Sequence, residues 1–486
     1  MGITALAAAT TSAVGAAMPS RPNILLLLSD QHRHDWTSLN PELAGKIETP
    51  NLEWLAQHGV RFTNALCASP ICGPSRACLA SGVQYNACGM KIHERNWPVD
   101  RLDSHYRHMR DEGGYHVAGC GKFDLRKATN DAGVQGIAHT AEWGFADAVN
   151  TGGKWDAYNL HSKGQPASDP YYLALEKSSF TRGYGDLKKL HIDDYAARHG
   201  GERSYTHTAP TGLPDELYID NWVADTGVSL LDRAPRGKPW YVVVNFSGPH
   251  EPLDITETMS RRAASRPPLP QPYGYTGSIP AASHEAIRRN YAAMIENIDS
   301  RIGTFIDLLR RRGELENTLI IYASDHGEML GDRNRWAKSV PFHQSVGIPL
   351  IVAGPGVKSG ITNASPVSLI DIGATALDYA GVRSHLPSAL SLRPILEKGV
   401  PKIRDHVVSG LAGWRLIDDG RYKLVCGHDI HSTTGHGSNV SAPALLFDRS
   451  ADPNETRDIS ATNPEQVAKM SALLDRELPA APVVPA

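Results

Sequence analysis

The 486-residue chain contains no apolar run long enough to span a bilayer. Neither sign of charge dominates: 49 lysines and arginines oppose 52 aspartates and glutamates, for a formal net charge of −3. That balance excludes the basic face or stripe by which proteins grip nucleic acid. The charge of an anionic substrate must then be met inside a site, not by the field of the whole molecule. Cysteine is sparse as well. The six are Cys67, Cys72, Cys78, Cys88, Cys120 and Cys426, with no C-x-x-C pair. Neither a thiolate zinc site nor a disulfide scaffold is expected, although one bridge is compatible with an exported protein. No internal repeat is found.

What is present is ordinary for a globular enzyme, with 41% hydrophobic and 21% charged residues. The length suits one large domain and a smaller one. Ile3 to Ala17 (ITALAAATTSAVGAA) is small and apolar. It reads as the h-region and cleavage region of an export signal lacking its positive n-region, or else as a disordered tail. Export implies a periplasmic or secreted protein. The expected division is residues 1–20 outside the fold, 21–385 as catalytic domain, 386–478 as a C-terminal subdomain and 479–486 as a flexible tail.

Short apolar runs alternate with helical segments. Asn23–Ser29 (NILLLLS), Arg61–Ala68, Tyr115–Cys120, Trp240–Ser247, Thr318–Ser324 and Pro349–Ala353 read as strands, the most apolar of them buried on both faces. Helices are expected at Pro50–His58, with Gly59 at C′, and from Pro74 through Leu79. Others are expected at Leu102–Glu112, Glu216–Leu231, Ala282–Arg312 and Leu369–Ala380. This alternation predicts an α/β fold with a large, mostly parallel central sheet flanked by helices. Beyond residue 385 the texture changes. A hairpin at Trp414–Cys426, a strand at Leu445–Asp448 and a helix at Pro464–Glu477 predict a small α+β subdomain with an antiparallel sheet. Residues 125–212 show weak periodicity and are expected to form a cap around the substrate mouth.

Chemistry concentrates in Cys72-Gly-Pro-Ser-Arg76, with Leu79, Ser81 and Gly82 behind it. A cysteine at a strand-to-helix turn lies where the helix dipole lowers a thiol pKa, so a reactive thiolate is one reading and a buried structural cysteine another. Two strands deliver Asp30-Gln31 and Asp325-His326-Gly327 at their carboxyl ends, where doubly wound sheets bind ligands. Taken singly, each aspartate reads as a helix cap. As a pair they can converge on one divalent cation, and oxygen donors suit a hard ion such as Ca²⁺ or Mg²⁺.

Together these segments resemble the sulfatase branch of the alkaline phosphatase superfamily over about residues 20–475. The pattern begins with P-N-I-L-x-x-x-x-D ending at Asp30, followed by Cys72 to Arg76, Gly114-Tyr115, Gly121-Lys122 and Gly248-Pro249-His250. It continues with Ser324 to Glu328, Trp336-Ala-Lys338, Gly347 to Leu350, Ser368 to Gly381 and Leu446 to Asp448. The resemblance implies an alkaline phosphatase-like sandwich and a sulfuric ester hydrolase. It implies that a maturation enzyme converts Cys72 to formylglycine, whose hydrated aldehyde attacks sulfur. An ordinary serine would stop at its sulfate ester, whereas the second hydroxyl of the diol allows sulfate to be expelled. Arg76 would hold the nucleophile and the sulfate, Lys122 and Lys338 would bind sulfate oxygens, and His250 would assist the leaving alcohol. Asp30, Gln31, Asp325 and His326, with residue 72, would hold one divalent cation, Ca²⁺ foremost, with Mn²⁺ or Mg²⁺ as alternatives.

The chain departs from the family pattern at four positions. Gln31 and His326 stand where many sulfatases have Asp and Asn, which reduces the anionic ligand count and is similar to choline sulfatases, phosphonate monoester hydrolases and some polysaccharide sulfatases. Asp124 stands where the family places a histidine that helps expel sulfate, and Arg126 departs from a variant pattern with a histidine there. His93 or His343 is a candidate substitute. Trp143, Trp155, Tyr158, Tyr171 and Tyr172 either stack on a sugar or pack the cap onto the core. A sulfated small molecule or glycan is the expected substrate. The alternatives are a phosphonate monoester or phosphodiester hydrolase of the same superfamily, and a sulfate-ester-binding homologue without turnover.

Overall fold

The computed structural model describes residues 21–479 except 91, 93, 94, 163–167, 183, 184 and 433–436. The export-signal reading, His93 and nearly all of the expected tail lie outside the described residues.

Nine strands form the main sheet: β1 (Asn23–Asp30), β2 (Gly59–Leu66), β3 (His116–Gly121), β4 (Asp147–Asn150), β5 (Trp240–Pro249), β6 (Thr318–Ser324), β7 (Gly347–Ala353), β8 (Ile361–Asn363) and β9 (Val367–Ser368). Their order is β4-β3-β5-β1-β6-β7-β2-β8, with β9 beside β2. Every pairing is parallel except those of β7, which runs antiparallel to β6 and β2. The run NILLLLS explains the centre of the sheet. Ile24, Leu26 and Leu28 pack into one core, while Leu25 and Leu27 pack into a second core on the opposite face. Each of these side chains contributes about 1.5–3 kcal/mol by leaving water. Helices Ile219–Arg233 and Ala281–Arg312 cover the second face, and helices Cys72–Ser81 and Asp371–Tyr379 the first. This is the expected sandwich.

A separate antiparallel sheet follows, in the order β10 (Val407–Leu411), β11 (Trp414–Asp418), β12 (Tyr422–Cys426) and β13 (Leu445–Asp448). Helix Pro464–Glu477 seals one face of it with Met470 and Leu474.

The described residues of the weakly periodic segment 125–212 include five helices, the longest Pro170–Arg182 and Leu187–Arg198, and β4, which extends the main sheet. Their pattern is faint because they are tied down by polar burial as well as by an apolar stripe. Lys154, for example, is buried against Asp254 at 2.6 Å. The helix expected to open at Pro74 instead begins at Cys72, with Ser75 N donating to Ile71 O at 3.0 Å. Pro74 is tolerated in the first turn because an amide there has no intrahelical acceptor. Gly59 does not turn left-handed after its helix but opens β2. A Cβ there would meet Val352 O at 2.1 Å, so only glycine lets the two strands approach. All six cysteines are free thiols, and none forms the bridge that export would have allowed.

Candidate active site at the carboxyl ends of the strands

Strand register builds the site. In β1 and β6, Ser29 pairs with Ser324 in parallel, so Asp30 and Asp325 emerge side by side. On the other flank of β1, Asp30 pairs with Pro249 at the end of β5, which places His250 next to it. Gly121 of β3 pairs with Asn245 of β5, and Lys122 N donates to Asn245 O at 3.1 Å. Four adjacent strands thus deliver Lys122, His250, Asp30-Gln31 and Asp325-His326 to one edge. Cys72 comes from beyond β2, at the first turn of a helix whose ten residues are all buried. Gly82 ends that helix in a left-handed turn (φ 64°), and a Cβ there would strike Leu386 at 2.4 Å.

The side chains converge. Cys72 Sγ lies 3.2 Å from His326 Nε2, 3.6 Å from Asp30 Oδ1 and 3.6 Å from Lys122 Nζ. Arg76, one helical turn on, donates to Asp325 Oδ2 at 2.8 Å, Asp30 Oδ2 at 3.3 Å and Asn245 Oδ1 at 3.1 Å. Lys122 donates to Asp30 Oδ2 at 2.5 Å. Lys338 donates to Gln31 Oε1, and its Nζ lies 2.6 Å from His250 Nε2. Asp30, Asp325 and His326 are inaccessible to solvent, and Cys72 is 2% exposed.

Electrostatics follow from this packing. Burial alone would raise the Asp30 carboxyl, but Lys122, His250 and Arg76 hold it well below the usual carboxylate range. Burial, reinforced by Asp30, pushes the Cys72 thiol up to about 12. Desolvation thus works against the thiolate that the helix dipole would favour. His250 and His326 are held below their ordinary value by burial, and Lys338 adds to this at both.

A divalent cation fits here. Asp30, Cys72, Asp325 and His326 offer ligand atoms all within 4.8 Å of one another. His326 Nδ1 donates to Gly327 O at 3.0 Å, which leaves the Nε2 lone pair facing Asp30 Oδ1 and Asp325 Oδ1, each at 3.7 Å. Converging lone pairs of this kind call for a cation, and oxygen with imidazole donors suits a hard or borderline ion. Gln31 enters through its backbone, donating to Asp325 Oδ1 at 3.0 Å. Its side-chain amide donates to Glu251 at 2.7 Å and to Glu328, and its carbonyl accepts from Lys338.

Asp124 takes a left-handed backbone (φ 55°) and lies 3.4 Å from Lys122 and 3.1 Å from Lys127. Lys122 is thereby held between two carboxylates. Arg126 turns away to pair with Asp131 at 2.7 Å. His343 is engaged by Arg449 at 2.8 Å and packs on His34. Of the five aromatics expected either to stack on a sugar or to pack the cap, Trp143, Tyr171 and Tyr172 are buried in the core. Trp155 and Tyr158 are half-buried against Tyr195 and His199.

Sequence reasoning missed Asn245, Glu251, Glu328 and Asp220. Asn245 could have been noticed as an amide inside the apolar run WYVVVNFS, and the two glutamates directly follow or lie within the quoted motifs. Burial and the nearby Glu251 charge push the Glu328 carboxyl up to about 7. Asp220 accepts from Ser247 N at 2.7 Å and Gly248 N at 2.9 Å, the residues leading into His250. Burial pushes its carboxyl from 3.8 up to about 6. The folded state thus keeps this proton longer than the unfolded chain. The stabilising contribution is complete below about pH 3.8 and is lost as pH rises through about 6. Asp220→Asn keeps an acceptor and removes the titration. Urea denaturation at stepped pH is expected to show the fall in stability over that window reduced by on the order of 2 kcal/mol. An unchanged slope would show that Asp220 does not hold the proton.

Arg76, Lys122 and Lys338 gather positive charge near a buried cysteine and a group of side chains that could hold a metal, an arrangement that suits an anionic substrate. Comparison narrows that class. The sequence profile of the family described as Sulfatase matches residues 22–382, and the chain belongs to the sulfatase family, the sulfuric ester hydrolases. It is 28% identical to an arylsulfatase of Clostridium perfringens, over 80% of this chain and 81% of that one. It is 26% identical to a choline-sulfatase of Rhizobium meliloti, over 91% and 83%. Among solved structures, a phosphonate monoester hydrolase of Agrobacterium radiobacter superposes with a TM-score of 0.71 at 22% identity, over 93% of this chain and 95% of that one. A protein in complex with its substrate D-glucosamine-2-N,6-O-disulfate gives 0.71 at 18% identity, over 94% and 97%.

Proposed function

We propose that the protein hydrolyses sulfate monoesters of a carbohydrate through a formylglycine made from Cys72 and one divalent cation, Ca²⁺ foremost. The observation that carries this reading is the convergence of Cys72 and Arg76 on Asp30, Asp325 and His326. Among its relatives is an ulvan-active sulfatase of Formosa agariphila, 24% identical over 91% of this chain and 77% of that one. One of its structural neighbours holds a sulfated glucosamine. Those two support the sugar class. Cys72 is 2% exposed inside a buried helix, so a maturation enzyme must reach it before the chain folds. The export-signal reading of residues 1–20 supports a periplasmic or secreted site of action. No helix among the described residues is long and apolar enough to cross a membrane.

Formylglycine would supply a hydrated aldehyde as the oxygen nucleophile. The metal would be held by Asp30, Asp325 and His326 with Gln31 beside them, and would supply a Lewis acid for the sulfate oxygens. The remaining work falls to the chain's own side chains. Arg76, fixed by Asp325, Asp30 and Asn245, and Lys122, fixed by Asp30 and Asp124, present positive charge to the nucleophile position. In a site closed to water such preorganised cations stabilise developing anionic charge strongly. His250 Nδ1 donates to Glu251 O at 2.6 Å, so Nε2 accepts from the Lys338 ammonium at 2.6 Å. That pair carries a proton for the departing alcohol.

His250→Ala is therefore expected to lower kcat by about 10²–10⁴-fold on a sugar sulfate. The loss on 4-nitrophenyl sulfate should be much smaller, because nitrophenolate leaves without a proton. Equal losses on both substrates would remove His250 from the leaving-group role. The substrate class itself is tested by turnover of sulfated monosaccharides against aryl phosphonate monoesters. A clear preference for the phosphonate would move the protein to the other hydrolase reading.

A further inference from the structure

The loop that carries Lys338 has an unusual backbone. Leu330 (φ 50°), Arg333 (φ 60°), Asn334 (φ 59°), Ala337 (φ 60°) and Ser339 (φ 79°) are all left-handed without being glycine. Such residues are uncommon, and each is held only where its surroundings over-determine it. Five within ten residues make a conformation that the loop does not hold by itself. Part of the hold comes from the catalytic side. Met329 N donates to Ala337 O at 2.7 Å, and Asp332 is clamped by Arg33 at 2.6 Å and Arg288 at 2.5 Å.

The rest comes from the small antiparallel sheet and its connections. The Arg333 guanidinium donates to Asn454 O at 2.9 Å and to Glu455 O, and lies 4.2 Å over the Phe342 ring. Arg335 donates to Ile430 O at 2.9 Å. The Trp414 indole of β11 donates to Ser339 O at 3.3 Å. Lys423 of β12, inaccessible to solvent, donates to Pro341 O at 2.7 Å and pairs with the equally buried Glu455. Glu455 accepts in turn from His343 N at 3.0 Å. Both flanks of Lys338 are thus fastened to the 407–455 region, and Lys338 itself reaches Gln31 and His250.

We infer that the small-sheet region completes the sulfate site, and that Arg333 is the positioning residue that transmits its hold to Lys338. Arg333 meets no site residue in the contacts above. It ties the bend of the loop to the 454–455 backbone, and the loop's left-handed path then aims the ammonium. This rests on the sulfatase reading, in which Lys338 binds a sulfate oxygen. It adds that the anion affinity of the site is set in part from outside the strand ends.

The test is a double-mutant cycle of Arg333→Asn with Lys338→Ala in the full chain. Asparagine tolerates the left-handed backbone, so the variant removes the guanidinium while sparing the bend. On matured enzyme, Arg333→Asn is expected to lower kcat/KM for 4-nitrophenyl sulfate by about 10-fold or more, carried mainly by KM. The rise in melting temperature produced by inorganic sulfate should shrink in parallel, a readout that does not need turnover. In the Lys338→Ala background, Arg333→Asn should weaken sulfate binding little further, because both changes act through one ammonium. Arg333→Lys should recover part of the loss. Full additivity of the two changes, or wild-type kinetics and sulfate stabilisation in Arg333→Asn, overturns the inference. Matured wild-type protein inert to every sulfate ester overturns the sulfatase reading and the inference with it.

Discussion

Replacing Cys72 with alanine is expected to abolish turnover of 4-nitrophenyl sulfate, by at least about 10³-fold, in protein co-expressed with a formylglycine-generating enzyme. The fold should survive, because the change trims one small side chain in a helix anchored by Arg76, Ser75 and Gly82. The cost in stability should stay near 1 kcal/mol, the scale of a small buried cavity. Cys72→Ser sharpens the result. Arg76, Lys122 and the Lys338–His250 pair would remain to promote attack by a hydroxyl, but serine has no second hydroxyl to expel the sulfate. The expected outcome is about one equivalent of nitrophenol and then silence, with a sulfated peptide found by mass spectrometry. Mass spectrometry of the wild-type peptide should locate the thiol-to-aldehyde change at Cys72 and leave Cys67 as a thiol. An unmodified Cys72 in active enzyme would end the formylglycine reading. A thiolate nucleophile is the alternative, and burial and Asp30 work against it by pushing that thiol up to about 12.

The parts of the fold most visible in the sequence are those governed by one strong local rule. Runs such as NILLLLS and TLIIYAS must be buried on both faces, and they form the two central strands with nearly the expected ends. Asp30 and Asp325 pair on sequence grounds because both follow such runs, and parallel register sets them side by side. The antiparallel β7 was not legible, since a buried strand carries no mark of its direction. Nor were the helices of 125–212, which depend on buried polar partners such as Lys154–Asp254 that no periodicity announces. The same limit hid the supports of the site. Nothing local in Asn245 or Asp220 shows that a helix 169 residues away will bring the first a guanidinium, or that a strand 27 and 28 residues away will bring the second two amides. Arg333 is less legible still, because its meaning lies in a backbone angle and in a partner more than 100 residues on.

Removing one carboxylate should show how charge at the site is balanced. Asp30→Asn is expected to lower turnover by about 10²–10⁴-fold and to raise the metal concentration for half-maximal reactivation, after chelation, by at least about 10-fold. Asp30 serves two masters in the structure. Its Oδ2 accepts from Lys122 at 2.5 Å and from Arg76 at 3.3 Å, while Oδ1 faces Cys72 and His326. Taking away its charge therefore weakens the metal site and leaves two buried cations with less compensation. Removing one partner of a buried pair typically costs about 3–5 kcal/mol. Here Asp325 and Asp124 still face Arg76 and Lys122, so the loss should fall at or below the lower end of that range. The two effects separate experimentally. Loss of metal affinity appears as a shift in the Ca²⁺, Mn²⁺ or Mg²⁺ titration of activity. Loss of charge compensation appears as a lower melting temperature in chelator, where no divalent ion contributes. A variant with unchanged metal titration and a lowered melting temperature would make Asp30 a counter-ion for Lys122 and Arg76. The cation would then have to be held by Asp325 and His326 without it. The reverse outcome would place Asp30 among the metal ligands, with Asp124 and Asp325 sufficient to hold the two cations.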